Sequence, residues 1–125
     1  MLNNLVLKKL EPSDINEVYL GSLNDKNHMK YSRNRFTDHT KQTQEDYLLG
    51  FNQVDDLLFA LRDQELDTFV GTISCHIDYV AQTINLGFLV FREYSNQGYG
   101  VNAVRVIKEY LSHQFPGMTL LIGTE

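Results

Sequence analysis

The feature that most constrains this sequence is an apolar strand followed by a glycine-rich turn, a helix and a second apolar strand. Ile84 to Phe91 is almost continuously apolar, which predicts a strand that is covered on both faces. A polar loop then leads to Gly98-Tyr99-Gly100, where a helix begins, and Pro116-Gly117 ends that helix. Met118 to Ile122 is apolar again. We therefore expect a right-handed βαβ crossover in the last third of the chain.

Helical periodicity identifies this helix and two more upstream. The last helix is expected to bury the residues Val101, Val104, Ile107, Leu111 and Phe115. An earlier helix is predicted to start at Pro12-Ser13-Asp14, with an apolar face made of Ile15, Val18, Tyr19 and Leu23. A middle helix is predicted to start at Thr43, which resembles a capping box with Asp46. Its apolar residues would be Tyr47, Phe51 and Val54.

A short strand is predicted at the apolar residues 5–7, and further strands at 57–62 and 68–77, where the hydrophobic period is two. The last of these has two different faces. We expect one face to carry Phe69, Ile73, Cys75 and Ile77, and the other to carry Thr72, Ser74 and His76. The element order predicts an α/β (α+β) fold with a mixed central sheet and helices on both faces.

Composition limits the function classes. The 125 residues are 42% hydrophobic, which is typical of one globular domain. A net charge of -5 with scattered basic residues argues against a nucleic-acid partner. No apolar run has the roughly 20 residues of a membrane helix, and the N-terminus has no signal pattern, so we expect a cytoplasmic protein without a membrane partner. Cys75 is the single cysteine and is expected in the core, while His28, His39 and His113 have no ligand spacing, so no metal is predicted.

The glycines at the start of the last helix are candidates for anion binding. A helix N-terminus has free backbone N–H groups and a positive dipole end, and glycine lets an anion approach closely. The same glycines could instead serve only to turn the chain. Gly98-x-Gly100-x-x-Ala103 also imitates a dinucleotide-binding fingerprint. In that fingerprint, however, the glycines follow the strand almost at once and further βαβ units come after them.

The stretch from Leu86 to Gly100 resembles the central acetyl-CoA motif of the GNAT superfamily of N-acetyltransferases. It is most similar to the branch that acts on ribosomal-protein N-termini, amines and sugar-linked amines. Leu7 to Asp14 and Phe69 to Ile73 resemble the first strand with its helix start and the third strand of that branch. The order of strands and helices agrees over all 125 residues.

This resemblance implies transfer of an acetyl group from acetyl-CoA, as cosubstrate, to a primary amine of a protein N-terminus, a small amine or an amino sugar. It implies that the fourth and fifth strands splay apart and that pantetheine pairs with the backbone of the fourth. The implied coenzyme-binding residues are Leu89 and Val90 for pantetheine, and Ser95, Asn96, Gln97, Gly98, Tyr99, Gly100 and Val101 for pyrophosphate.

The sequence departs from the family pattern at three places. Ser95 stands where the family has Arg or Gln, so backbone donors would have to bind the phosphates. The chain stops at Glu125, where relatives continue with a helix and two strands, so a single shortened domain (residues 1–125) is expected. We expect a homodimer or another partner to cover the open last strand. Asn85 stands where many relatives have a glutamate base.

Because Asn85 cannot act as a base, His76 and Glu93 are the remaining catalytic candidates. Alternatively, His76 is a structural histidine and Glu93 is a solvated surface carboxylate. Tyr31, Arg33 and Arg35 are candidates for an acceptor pocket. Alternatively, they are surface residues of a long loop and bind nothing. The rival to the enzyme is a catalytically silent or incomplete CoA-binding module that acts with a partner.

Overall fold

The computed structural model describes residues 4–25, 28–29 and 38–124, which form a five-stranded sheet and three α-helices. The strands are β1 (Leu5–Lys9), β2 (Asp56–Asp63), β3 (Thr68–Asp78), β4 (Thr83–Val90) and β5 (Thr119–Thr124). The helices are α1 (Glu17–Asn24), α2 (Lys41–Leu49) and α3 (Tyr99–Gln114). Short 3-10 turns occupy Pro12–Asp14 and Arg92–Tyr94.

The sheet has the strand order β1-β2-β3-β4-β5. Each of the first four strands pairs antiparallel with the next one. Helices α1 and α2 lie between β1 and β2 in the chain. Strand β5 returns after α3 and pairs parallel to β4, with Thr83 opposite Thr119 and Phe88 opposite Thr124. The predicted mixed sheet and the parallel β4–α3–β5 unit are therefore confirmed.

Helices cover both faces of the sheet, as predicted, and each face has its own apolar cluster. Ile107 and Leu111 of α3 belong to the first cluster, while Tyr19 of α1 and Leu48 of α2 belong to the second. Side chains alternate between the faces along a strand. In β4, Leu86 accordingly joins the cluster under α3, and Leu89 joins the cluster under α1 and α2.

The prediction that Phe69 shares a face with Ile73 is wrong. The pairing of β2 with β3 is shifted between Leu61 and Arg62, because Leu61 pairs with Gly71 while Arg62 pairs with Phe69. Such a bulge adds a residue to one strand and reverses the alternation beyond it. Phe69 therefore packs against Tyr19 and Phe91 under α1, whereas Ile73 lies under α3.

The first two helices begin at positions other than those expected. The Pro12 segment forms only the 3-10 turn, and α1 is capped by Asn16, whose side chain accepts a hydrogen bond from the Tyr19 N–H. Helix α2 starts earlier than predicted, because Thr40 and Thr43 form a reciprocal capping box. The predicted apolar stripe of this helix is also wrong, since Tyr47 is exposed and the buried residues of α2 are Gln44 and Leu48.

Helix α3 buries a different residue in its first turn from the one expected. Val101 is 78% exposed, whereas Tyr99, Ala103, Ile107 and Leu111 form the buried stripe at intervals of four. Six residues at 3.6 per turn put Val101 about 120° away from Ile107 around the helix. The first turn of α3 therefore presents Val101 to the surface.

The last strand lies beside an apolar groove. Leu121 and Ile122 are exposed on β5. A cavity of about 330 Å³ lies between β5 and the C-terminal part of α3. It is lined by Lys108, Leu111, Ser112, Phe115, Pro116, Gly117, Met118 and Leu120. Association through this region stays a prediction.

Candidate functional site

The N-terminus of α3 has no side-chain cap. Gly98 is the N-cap residue, and the first turn contains no acidic residue. The first helical hydrogen bond runs from the Asn102 N–H to the Gly98 carbonyl, at 3.3 Å. The N–H groups of Tyr99, Gly100 and Val101 precede this bond and have no acceptor within the helix. By contrast, Asn16 and Thr40 cap α1 and α2 with their side chains. The longest helix of the described chain thus offers uncompensated donors and a positive dipole end.

The backbone before α3 is bent into a shape that favours glycine. Gly98 has a φ of 83°, and Asn96 also has a positive φ, of 61°. Glycine adopts such values without strain, and asparagine is the side chain that tolerates them best. At Gly100, by contrast, an added Cβ would meet nothing within 4 Å. Gly98 is therefore required by the turn, while the space over Gly100 is open to a ligand.

Tyr99 contributes its backbone to this site, because its side chain points into the core. The side chain is buried, and its hydroxyl donates a hydrogen bond of 2.7 Å to Asp63 Oδ2. Burial is the main cause that raises the pKa of Tyr99 to about 12, and the hydrogen bond to Asp63 is the next largest cause. The second oxygen of Asp63 accepts from the N–H groups of Glu65 and Leu66. This contact anchors the start of α3 to the β2–β3 turn.

The predicted residues between β4 and α3 have side chains that turn back towards the preceding 3-10 turn. The Ser95 hydroxyl donates to the Phe91 carbonyl at 3.4 Å, and Gln97 Nε2 donates to the Glu93 carbonyl at 3.3 Å. The side-chain donors at these two positions are therefore used to close the loop. An anion at the start of α3 would meet mainly backbone N–H groups.

The C-terminal end of β4 lies next to this helix start. Val90 pairs with Gly71, and the Phe91 N–H donates to the Val70 carbonyl. Antiparallel strands alternate in the direction of their backbone polar groups. The N–H and C=O of Val90 therefore point away from β3, while those of Leu89 point towards it. Residues Thr83 to Phe88 pair with β5, so Val90 lies beyond the paired part. Of the two predicted pantetheine partners, Val90 is the one whose backbone polar groups face away from β3; pantetheine binding by Leu89 and Val90 stays a prediction.

Residues that follow α1 contact this end of β4. His28 Nε2 donates to the Val90 carbonyl at 2.9 Å. The His28 N–H donates to Asp25 Oδ1, and the other oxygen of Asp25 forms an ion pair with Arg92 at 3.2 Å. The hydrogen bond to Glu93, and to a smaller extent the one to Asp25, raises the pKa of Arg92 above its ordinary value. Sequence reasoning assigned no role to His28, because the residues it contacts are far away in the chain.

His76 lies on the sheet face that faces α2, opposite Asp56 on one side and Asn85 on the other. Its Nδ1 lies 2.8 Å from Asp56 Oδ1, and its ring stacks on Phe51 with centroids 5.4 Å apart. The side chain is 50% exposed. Asn85 is also exposed, so β4 is not covered on both faces as its sequence predicted. This end of the sheet presents an oriented imidazole to the surface.

The same face becomes buried towards the other end of β3. Thr72 and Ser74 share the face of His76, as predicted, but both are buried below α1 and α2. Glu93 lies elsewhere, in the 3-10 turn after β4, where its carboxylate accepts from Arg92 Nε at 2.8 Å. The two catalytic candidates are therefore not brought together: Glu93 is beside the start of α3, and His76 is at the far end of β4.

Several other predictions concern isolated residues. Cys75 is buried in the core, as expected. Within the described part of the chain, no group of three His, Cys, Asp or Glu side chains could hold a metal ion. No helix in the same described part is long and apolar enough to cross a membrane. Tyr31, Arg33 and Arg35 lie outside the described residues.

Comparisons with known proteins agree with this fold. The family model described as the acetyltransferase (GNAT) domain matches residues 4–124. A GNAT-family acetyltransferase from Bacillus anthracis is 21% identical with a TM-score of 0.72, covering 89% of this chain and 64% of its own. Spermidine N-acetyltransferase from Vibrio cholerae, in complex with CoA and spermine, is 18% identical with a TM-score of 0.68. The match covers 86% of this chain and 63% of that enzyme's chain. A ribosomal L7/L12 alpha-N-protein acetyltransferase in complex with coenzyme A is 10% identical with a TM-score of 0.74, covering 95% and 70%.

The chain thus spans a little under two thirds of the length of the first two structures, 64% and 63%. No curated protein sequence matches it.

Proposed function

This chain belongs to the GNAT acetyltransferase family, and on that premise we propose that it transfers an acetyl group from acetyl-CoA to a primary amine. The observation that carries the proposal is the uncapped start of α3 beside the open backbone of Val90. The related structures that act on spermidine and on a ribosomal protein support an amine acceptor. A protein N-terminus, a small amine and an amino sugar are the candidate acceptors.

The coenzyme pyrophosphate would lie against the backbone N–H groups of residues 97–101. Free donors and the positive end of a 16-residue helix favour a dianion at this position. The open space over Gly100 allows the close approach that such backbone contacts need. Since the side chains of Ser95 and Gln97 are turned away, the affinity would come mainly from the backbone.

The pantetheine arm would start from the N–H and C=O of Val90, which point away from β3, and run along β4. The Val90 carbonyl already accepts a hydrogen bond from His28. A pantetheine amide that takes this carbonyl would have to replace His28 Nε2 as its donor, while the Val90 N–H would donate to a pantetheine carbonyl. An arm that starts here and extends towards Asn85 brings its thioester end over the middle of β4.

The reaction would be a direct attack of the amine nitrogen on the thioester carbonyl carbon. A carbon–nitrogen bond forms, the carbon–sulfur bond breaks, and the coenzyme leaves as a thiol after it gains a proton. Cys75 is buried in the core, so it does not serve as an acyl carrier. The acetyl group would therefore pass from coenzyme to acceptor without a covalent enzyme intermediate.

Gly100→Val is the sharpest test of the coenzyme site. A branched side chain at Gly100 meets no protein atom but would occupy the space required for the phosphates. Gly98→Val is less suitable, because a φ of 83° would strain the fold itself. We expect calorimetry to give an affinity for CoA that is lower by at least ~10-fold, or about 1.4 kcal/mol. Ser112→Val, at an exposed position near the other end of α3, is the matched control and should bind as the parent does. Unchanged binding by Gly100→Val would place the pyrophosphate elsewhere.

A second function, binding of CoA without catalysis, is favoured by one observation. Asn85 occupies the exposed position on β4 and has no acid–base capacity. We would then expect calorimetry to detect CoA, while spermidine, a peptide with an N-terminal serine and glucosamine all remain unacetylated by the parent protein. Acetylation of any of these amines would reject the silent module.

A further inference from the structure

We propose that His76 is the base that takes a proton from the acceptor amine, and that Asp56 is the residue that positions it. The inference rests on the proposed acetyl transfer. An ammonium ion has no lone pair, so it must lose one proton before it attacks the thioester. A second proton leaves the nitrogen as the carbon–sulfur bond breaks. His76 Nε2 accepts the first proton, and the second reaches the departing thiolate through water.

The contact with Asp56 fixes which nitrogen of His76 carries the hydrogen. A carboxylate accepts hydrogen bonds, so Nδ1 at 2.8 Å from Asp56 Oδ1 must be the donor. In the neutral imidazole, Nε2 is then the nitrogen with the lone pair. The carboxylate also stabilises the imidazolium that forms when Nε2 takes a proton, which is the role of the aspartate in a Ser-His-Asp triad.

The ring is also held in one orientation. Its stacking on Phe51 has an interplanar angle of 30°. Asp56 lies directly opposite His76 in the register of β2 and β3, so the two side chains meet without a distortion of either strand. A catalytic group that is locked by packing and by a hydrogen bond needs little reorganisation on reaction. Because half of the side chain is exposed, an amine or a water molecule can reach it.

The sheet register places His76 at the thioester end of the proposed coenzyme arm. His76 pairs with Asn85, and the neighbouring pair on the same face is Ser74 with Gly87. Two residues along a strand are about 7 Å, which one water molecule or the body of a small amine can bridge. Ser74 itself is buried below α1 and α2, but Gly87 has no side chain and is partly exposed, so β4 does not block the edge of this face next to His76. An amine above Gly87 would have His76 on one side and the thioester on the other.

Other titratable groups near the site are already used or lie at the wrong end. His28 donates its Nε2 hydrogen to the Val90 carbonyl, where the coenzyme arm would start. His39 is buried, with Nδ1 within 3.1 Å of the Gln44 amide. Glu93 accepts from Arg92 in the turn that leads to the pyrophosphate site. Within the described chain, His76 is the titratable group that combines an orienting carboxylate, exposure and the correct end of β4.

Steady-state kinetics of four variants test the proposal. The assay measures thiol release from acetyl-CoA with spermidine, a peptide with an N-terminal serine or glucosamine, whichever the parent uses best. His76→Ala should lower kcat by at least ~100-fold, the lower range for a positioned base. Its KM for acetyl-CoA should stay within about threefold, because His76 is remote from Val90 and α3. Added imidazole should restore part of the activity of His76→Ala. His113→Ala, at an exposed histidine near the end of α3, should match the parent.

Asp56→Ala tests the positioning role. It should lower kcat in the parent background but cause no further loss when combined with His76→Ala, because Asp56 acts through the imidazole. Further loss in the double variant would overturn that role. A fall in kcat of less than ~100-fold for His76→Ala, or failure of imidazole to restore activity, would overturn the role of His76.

The failure of this inference is distinguishable from failure of the proposed function. A parent protein that binds CoA but acetylates none of the three amines rejects the acetyltransferase function, and the base assignment with it. A parent that acetylates an amine while His76→Ala remains as active rejects only the base. Nitrogen-15 NMR of the parent gives an independent check that needs no variant. The neutral imidazole of His76 should carry its hydrogen on Nδ1, and a hydrogen on Nε2 would overturn the proposal.

Discussion

Adding one methyl group at Gly71 should have a large effect, because backbone atoms of β4 occupy the space that the methyl group needs. A Cβ built on Gly71 lies 3.1 Å from the Leu89 carbonyl carbon and 3.1 Å from Val90 Cα, and it overlaps the Leu89 carbonyl oxygen. All of these are backbone atoms of β4, which cannot move aside as a side chain can. Gly71→Ala must therefore separate the two strands at Leu89 and Val90, where the proposed coenzyme arm starts.

The magnitude follows from the number and type of atoms in the way. Overpacking of a well-packed interior costs about 1–3 kcal/mol when side chains and backbone can adjust. Because three backbone atoms obstruct the new methyl, we expect a loss at the upper end, about 3 kcal/mol. With a urea m-value of about 2 kcal/mol/M, the midpoint of unfolding would fall by about 1.5 M.

Gly100→Ala is the matched comparison, since it adds the same methyl group where nothing lies within 4 Å. Alanine is a better helix former than glycine by up to about 1 kcal/mol, so this variant should be as stable as the parent or slightly more stable. Urea unfolding followed by circular dichroism measures both changes. If the free energy of unfolding of Gly71→Ala is within about 0.5 kcal/mol of the parent's, the strands are farther apart than described and the reasoning fails. Calorimetry on the folded Gly71→Ala protein should also show weaker CoA binding, because Val90 is displaced.

Three other perturbations concern the anchor of α3, the cap of α2 and the exposed last strand. Tyr99→Phe removes a donor from the buried Asp63 and should lower the free energy of unfolding by about 1–3 kcal/mol in chemical denaturation. The pKa of Tyr99 is raised to about 12 in the folded protein, above the ordinary 10. The unfolded state therefore loses this proton first, and the free energy of unfolding should fall as the pH rises from 10 through 12; a slope that persists unchanged in Tyr99→Phe would contradict the assignment. Thr40→Ala should cost about 1 kcal/mol by loss of the α2 cap, measured by thermal unfolding, and a loss below about 0.3 kcal/mol would count against the capping box. Ile122→Lys should abolish any concentration-dependent association in analytical ultracentrifugation, and a parent that stays monomeric at high concentration would reject association through β5.

Local sequence patterns were sufficient to predict the β4–α3–β5 unit, which contains the proposed coenzyme site. The apolar run of β4, the two glycines, the helical period of α3 and the apolar β5 follow one another within about forty residues. Each signal depends only on neighbours in the chain, so the βαβ unit and the start of α3 could be read from sequence. The helix face could not be read equally well, since Val101 is apolar yet lies on the exposed side of the first turn.

Contacts between distant residues were decided by the sheet register. His76 meets Asp56 across 20 positions of sequence, and His28 meets the Val90 carbonyl across 62. The bulge at Val70 sends Phe69 to the face opposite that of Ile73. The sequence supplied a histidine and an aspartate with no visible relation to each other, because periodicity within a strand carries no information about the residue opposite. The pairing of β2 with β3 is what places that aspartate beside the imidazole and turns an ordinary surface histidine into an oriented one.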